Sequence, residues 1–137
     1  MKVVVIDGQS GRIGQLFVEK VIKAKVSCQI TAIGTNAIAT AAMRKAGADQ
    51  GATGENPVVV ACRSADIIVG PIGILVADAM LGEITPEMAL AVGRSGAKKL
   101  LLPVNQCGNL VAGTQVMSLS KVMEEAVELL RTLCAQN

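Results

Sequence analysis

The sequence predicts a single α/β domain with one mostly parallel, doubly wound sheet of five or six strands. Its 137 residues suit one domain with one hydrophobic core. Short apolar runs alternate with segments of helical spacing along the whole chain. Phe17 is the only aromatic residue although 51% of the residues are hydrophobic, so aliphatic side chains must fill the core. Strands that are buried on both faces of a parallel sheet have this composition.

The first two strand–helix units have the clearest patterns. We expect a strand over residues 3–6, a helix over 12–24 and a second strand over 30–33. Asn36 is a suitable N-cap for a second helix, which runs to Ala46 and is stopped by Gly47.

The middle of the chain has weaker patterns. Residues 48–53 predict a short third strand and residues 66–69 a fourth. Between them, Asn56 and Pro57 are typical of an N-cap and a first helical position. The three valines that follow are branched at Cβ and prefer strands, but we expect a helix here.

The last third of the chain completes the alternation. Thr85, which is followed by a proline and a glutamate, opens a helix. Strands are expected over residues 99–102 and 110–111, and Ser120 caps a final helix that ends at Cys134.

Alternation of this kind requires right-handed crossovers and therefore a parallel sheet. We expect the Rossmann-like strand order 3-2-1-4-5 with a further edge strand. The order 2-1-3-4-5 would result if residues 48–53 are not a strand.

Small and polar residues concentrate where the predicted strands end. In a doubly wound fold, ligands bind outside the carboxyl ends of the strands, so these residues meet at one rim of the sheet. The candidate ligand-binding residues are Gly8, Gln9, Ser10, Gly11, Arg12, Ile13, Gly14, Gly34, Thr35, Asn36, Gly54, Gly70, Gly73 and Asn105.

The segment GQSGRIG, residues 8–14, is the most specific of these motifs. A tight glycine turn between a strand and a helix lets backbone N–H groups approach a phosphate at the helix N-terminus. Gly8 would form the turn, Gly11 would permit close approach of the ligand, and Gly14 would let the helix pack on the strand. Arg12 would add donors for a phosphate. The alternative is a structural turn whose glycines serve packing alone.

This loop resembles the GxxGRMG loop of dihydrodipicolinate reductases and the corresponding loop of extended short-chain dehydrogenases. The leading hypothesis is a small binding or accessory protein for a phosphate-bearing nucleotide, NAD(P) or another adenine nucleotide. Two features of the sequence differ from those of dehydrogenases. Gly34, Thr35 and Asn36 stand where a ribose-binding acid is usual, about 20 residues past the glycines. The chain also has no tyrosine and no histidine, so hydride transfer by this chain alone is not the favoured interpretation.

A catalytic role is the second hypothesis, for a small enzyme that acts on a phosphorylated or carboxylated metabolite. The candidate catalytic residues are Asp7, Glu55, Glu83 and Cys107. Each has an alternative structural role, since carboxylates are also favoured in loops and at helix starts. The absence of histidine excludes a Cys–His pair and makes a zinc site improbable.

Residues 70–84 form a long apolar connection, which we expect to be a lid or, with slight preference, a contact between subunits of a homo-oligomer. A non-catalytic interaction protein is therefore the third hypothesis.

Composition argues against other partners. The net charge is +2 and no aromatic platform accompanies the dispersed basic residues, so nucleic-acid binding is not expected. No apolar run approaches the roughly 18 residues of a membrane span. The chain begins in a predicted strand rather than a signal peptide, so we expect a cytoplasmic protein.

The blocks IGTNAIATAAM, GATGEN, GPIGI, MLGEIT and LLPVN, together with the glycine loop, resemble a family of short bacterial proteins of unknown function. This resemblance implies a common site at the rim and no particular activity.

Overall fold

The computed structural model describes residues 1–104, 108–114 and 117–136. Within them the strands are β1 (Lys2–Asp7), β2 (Gln29–Gly34), β3 (Gln50–Thr53), β4 (Ile67–Pro71) and β5 (Lys98–Leu102). The α-helices are α1 (Arg12–Lys23), α2 (Ala37–Lys45), α3 (Glu55–Cys62), α4 (Pro86–Arg94) and α5 (Leu119–Ala135), and a short 3-10 helix covers Ile72–Leu75.

The strands form one parallel sheet in the order β3-β2-β1-β4-β5, which confirms the predicted fold. β1 lies at the centre, with Val3 opposite Ile30 of β2 on one side and Ile67 of β4 on the other. The chain leaves β1 toward β2 and later returns to β4, so the ends of β1 and β4 flank the switch point at which such folds bind ligands.

Two apolar cores cover the two faces of the sheet. Alternate β1 side chains enter each of them: Val3 and Val5 pack with α1, α2 and α5, while Val4 and Ile6 pack with α3 and α4. This explains why β1 is apolar throughout. Phe17 of α1 is fully buried in the first core, which stabilises the fold by about 2–3 kcal/mol relative to an exposed ring.

One expected strand is absent, and two helices start at positions other than those expected. Residues 110–111 form no strand. They lie between Gly108 and Gly113, which both have positive φ and so depart from the extended conformation of a strand. Leu110 is 92% exposed. Helix α5 begins two residues early, with Ser118 rather than Ser120 as its N-cap, and its first residue packs against the core.

Helix α3 forms as expected but starts at Glu55, with Gly54 in the N-cap position, so Asn56 lies within its first turn. The predicted caps Asn36 and Thr85 are confirmed, since their side chains accept from Ala39 N and Met88 N.

The long connection after β4 packs mainly against its own domain. Ile74, Met80 and Ile84 are buried in the second core, while Leu81 is 99% exposed. Within the described residues, every helix is too short or too polar to cross a membrane.

Candidate functional site

The candidate site lies where β1 and β2 end, beside the start of α1. β1 ends at Asp7, and Gly8 opens a turn in which Gly11 N donates to Gly8 O at 2.9 Å. Gly11 is the N-cap of α1 in the left-handed conformation, with φ 73°. The strand, glycine turn and helix therefore follow in the predicted order.

Asp7 anchors this turn from below. Its side chain is 2% exposed, and its two carboxylate oxygens accept from Gly8 N and Gly14 N, each at 2.8 Å. Burial raises the pKa of Asp7, and the hydrogen bonds from Gly14 and Gly8 oppose that rise. Because both oxygens are occupied, Asp7 is placed to hold the loop rather than to act as a base.

The glycines of the loop make room for protein atoms. A Cβ on Gly11 would lie 2.6 Å from Ala39 Cα, and a Cβ on Gly14 would collide with Met43. The missing side chains thus let α1 pack against α2. The sequence had suggested that Gly11 clears space for a ligand, but the space cleared by its missing Cβ is filled by α2.

Glu83 reaches the same turn from the opposite direction. It belongs to residues 76–84, here called the Glu83 loop. Its Oε1 atom accepts from Gln9 N at 2.8 Å, Thr35 Oγ1 at 2.6 Å and Asn36 Nδ2 at 2.8 Å. Burial acts to raise the pKa of Glu83, but these hydrogen bonds outweigh it and the pKa is lowered. Glu83 is therefore ionised at neutral pH.

The Glu83 loop has an unusual backbone. Asp78, Met80 and Leu81 have φ of 66°, 58° and 57°, and Gly82 follows at 91°. A side chain in this left-handed region costs roughly 1–2 kcal/mol. Burial of Met80 and the bonds of Glu83 compensate for this strain, so the loop conformation depends on contacts with the glycine turn.

Most amides of the glycine turn have partners inside the protein. Gly8 and Gly14 donate to Asp7, Gln9 donates to Glu83, and Gly11 donates to Gly8 O. The expected set of bare amides is therefore not present in this arrangement. An external anion reaches Gln9 N only by replacing the Glu83 carboxylate.

Four other candidate glycines lie on the same rim. A Cβ on Gly34 would lie 2.5 Å from Thr40 N, and one on Gly70 would lie 2.5 Å from Ile6 O, so both serve close packing. Gly73 is buried in the 3-10 helix. Gly54 has φ 108° and open space around it.

The remaining candidates do not join the turn. Glu55 Oε1 accepts from Thr85 Oγ1 at 2.5 Å, which links the starts of α3 and α4. Asn105 and Cys107 lie outside the described residues. Among the described residues, no group of three or more His, Cys, Asp or Glu side chains is arranged to hold a metal ion.

The sequence indicates Glu83 as a candidate catalytic residue but does not indicate that it lies beside the glycine turn. The chain has no acid just after β2, yet Glu83 lies there in space, bonded to both Thr35 and Asn36. No local signal predicts this contact, because Asn36 and Glu83 lie 47 positions apart in the sequence.

A family model described as a domain of unknown function, DUF3842, matches residues 2–135. No curated protein matches the sequence. Among solved structures, the chain is similar to a dodecameric FMN-dependent Ubix-like decarboxylase from Escherichia coli O157:H7, with a TM-score of 0.45 and 13% identity, over 95% of this chain and 92% of that one. So distant a likeness gives no information on ligands.

Proposed function

We propose that this chain, which belongs to the DUF3842 family, binds a phosphate-bearing nucleotide at the ends of β1 and β2. One observation carries this proposal: three hydrogen-bond donors converge on a single anionic oxygen, Glu83 Oε1. We call these donors, Gln9 N, Thr35 Oγ1 and Asn36 Nδ2, the oxygen hole.

The chemistry of the oxygen hole suits a phosphate oxygen. Hydrogen bonds to an ionised acceptor are shorter and stronger than neutral ones, and those to Glu83 are 2.6–2.8 Å long. Asn36 is fixed in place, since its Oδ1 caps α2 and its Nδ2 also donates to Gln9 O at 3.0 Å. The donors are thus already oriented, and Glu83 serves as their internal anion.

Neighbouring groups favour a larger ligand over free phosphate. The exposed Arg12 stands at the positive end of α1, where a second phosphate oxygen would be stabilised. The buried Asp7 opposes an anion, so further contacts must contribute to affinity. A cavity of about 400 Å³ beside Gln9 and residues 76–81 supplies space for a sugar or base. Ile38, 72% exposed, adds an apolar surface near Asn36.

Binding would proceed by exchange. The ligand phosphate takes the oxygen hole, and the Glu83 side chain turns out into solvent while the buried residues of the Glu83 loop stay in place. An adenine nucleotide, NAD(P) included, fits this chemistry.

Titration calorimetry with ADP, NAD, NADP and inorganic phosphate tests the exchange. Glu83→Ala removes the internal competitor and should tighten nucleotide binding about tenfold or more, because a hydrogen bond to a charged group is worth roughly 1.5–3 kcal/mol. Glu124→Ala, which changes the same charge on the exposed face of α5, should leave affinity unaltered. Thr35→Val should weaken binding.

Two outcomes contradict the proposal in different ways. Absence of binding to wild type and Glu83→Ala at millimolar ligand rejects the nucleotide site. Weaker binding by Glu83→Ala keeps a nucleotide site but rejects the exchange, because it shows that Glu83 itself accepts hydrogen bonds from the ligand, as from ribose hydroxyls.

Self-association and a cytoplasmic location belong to the same proposal. Leu81 and Leu110 are 99% and 92% exposed, and burial of such side chains against a second copy would stabilise a homo-oligomer. Sedimentation of wild type against Leu81→Ser measures whether Leu81 takes part.

A further inference from the structure

A cavity of about 390 Å³ opens between the last turns of α3 and α4. These helices lead toward the starts of β4 and β5, so the cavity lies at the end of the sheet opposite the candidate site. Ser95 Oγ donates to Cys62 O at 2.7 Å, which joins the ends of the two helices. We call it the arginine cavity, because its lining combines apolar side chains with two arginines: Val59, Cys62, Ala91, Arg63 and Arg94.

The two arginines of this cavity have no acidic partner in the described part of the chain. Both are exposed, and the one ion pair there joins Arg131 to Glu128. Cations suit the C-terminal end of a helix, which accounts for their position. Arginine also binds carboxylates through paired hydrogen bonds. An occupant that carries an apolar side chain next to a carboxylate therefore matches both parts of the lining.

The Glu83 loop presents such a pair of groups. Leu81 is 99% exposed, and the exposed Asp78 lies beside it, because Gly82 N donates to Asp78 O at 3.1 Å and closes the turn. Asp78 N donates to Ile84 O at 2.7 Å, which fixes the base of this turn. Leu81 is held at φ 57°, where a glycine or asparagine would be less strained, and its side chain gains no burial within the described residues.

We propose that a second copy of this chain occupies the arginine cavity. Its Leu81 packs against the apolar lining, and its Asp78 lies beside Arg63 and Arg94. This inference rests on the self-association in the proposed function and deepens it by naming the surface that receives Leu81.

The contact must form between chains. The Glu83 loop leads into the start of α4, and the arginine cavity lies at the other end of this nine-residue helix, about 13 Å along its axis. Two chains that lie side by side in opposite directions bring each Leu81 to the cavity of the other, which gives a closed two-fold dimer. The half-exposed Val60 of α3 and Leu90 of α4 lie on the same helices and would be buried between these two contacts.

Sedimentation velocity without nucleotide tests the role of Leu81, and its result does not depend on the nucleotide site. Leu81→Asn should weaken self-association about tenfold or more, because burial of a leucine is lost at each contact. The monomer should be no less stable, since asparagine tolerates the left-handed backbone. As the control, Leu129→Gln removes a half-exposed leucine from α5, on the other face of the sheet, and should leave association unaltered.

Charge reversal tests the surface that receives Leu81. Arg94→Glu and Asp78→Lys should each associate about tenfold more weakly than wild type, because each places like charges at both contacts. An equal mixture of the two variants should form a heterodimer, since one contact is then wild type and the other carries the pair reversed. If Asp78→Lys does not fold, Asp78→Asn suits φ 66° and should associate with Arg94→Glu more tightly than Arg94→Glu does with itself.

Three results would overturn the inference. Wild type that stays monomeric at millimolar concentration removes self-association but leaves nucleotide binding untouched. Unaltered association of Leu81→Asn shows that the chains meet elsewhere. Weaker association of Leu81→Asn, with no effect of Arg94→Glu and no heterodimer in the mixture, keeps self-association through Leu81 but places it on another surface.

Discussion

Asp7 and Glu83 are carboxylates on opposite sides of Gly8, and their surroundings move their pKa values in opposite directions. Burial dominates at Asp7 and raises its pKa. At Glu83 burial also acts to raise the pKa, but three hydrogen bonds together outweigh it and the pKa is lowered. Asp7 is therefore a fixed part of the turn, whereas Glu83 is an ionised side chain on a strained loop. This difference is why the exchange is assigned to Glu83 alone.

Gly11 and Gly54 separate the two reasons for which a glycine is needed. Both have positive φ, but only Gly11 faces backbone atoms, at 2.6 Å from its Cβ position. Gly54→Ala should cost about 1–3 kcal/mol of stability, because φ 108° with ψ −175° is a backbone conformation that essentially only glycine adopts. Gly11→Ala should cost clearly more, because Ala39 must also shift. Urea denaturation of both variants measures the difference, and equal losses would show that the α1–α2 contact yields freely.

The glycine turn was predictable from the sequence because the residues that determine it are adjacent in the chain. Residues 8–14 carry the glycines, and a strand and a helix flank them directly. The contact of Glu83 with Gln9 N was not predictable from the sequence, because it depends on residues with left-handed backbone conformation in a distant loop. Leucine and methionine give no sequence signal for that conformation.

At the scale of elements, the strands were predictable because a buried parallel strand is apolar on both faces. Helix α3 shows where local preference gives way to packing. Its three valines prefer strands, yet Val58 is fully buried within the core formed with α4, and the helix forms. The shift of its start to Glu55 depends on Gly54, whose positive-φ N-cap conformation no local pattern indicated.

Thr85 joins two elements, since its Oγ1 atom accepts from Met88 N and donates to Glu55 Oε1. Thr85→Ala should lower the free energy of unfolding by about 1 kcal/mol, because α4 loses its cap and α3 its link. Thr85→Ser retains the hydroxyl and should lose much less. Chemical denaturation compares the three proteins, and an equal loss in both variants would assign the effect to the methyl group instead.

At the scale of the whole molecule, the strand order was predictable from the alternation of elements. The choice between two orders rested on residues 48–53, of which Gln50–Thr53 form β3 beside β2. That strand is mostly exposed, so backbone pairing rather than apolar burial places it. Residues 110–111 form no sixth strand, and Leu110 is 92% exposed.

The pH dependence of stability should reflect both carboxylates. Glu83 has a lowered pKa, so its contribution is complete above the pKa of the unfolded chain and is lost as the pH falls through the folded value. Asp7 has a raised pKa and the opposite slope, because its contribution is lost as the pH rises.

Glu83→Gln should therefore be less stable than wild type at neutral pH, and the gap should narrow below about pH 4. Denaturant titrations across this range measure the gap, with Glu124→Gln as the control. A gap that stays constant with pH would show that the charge of Glu83 does not stabilise the folded chain.

Phe17, enclosed in the core, is the only aromatic ring, and the chain has neither tryptophan nor tyrosine. The polypeptide is consequently almost transparent in the near ultraviolet and has no intrinsic indole or phenol fluorescence. Any purine, nicotinamide or flavin carried through purification would dominate the spectrum. Ordinary absorbance scans of the purified protein thus report its cargo directly.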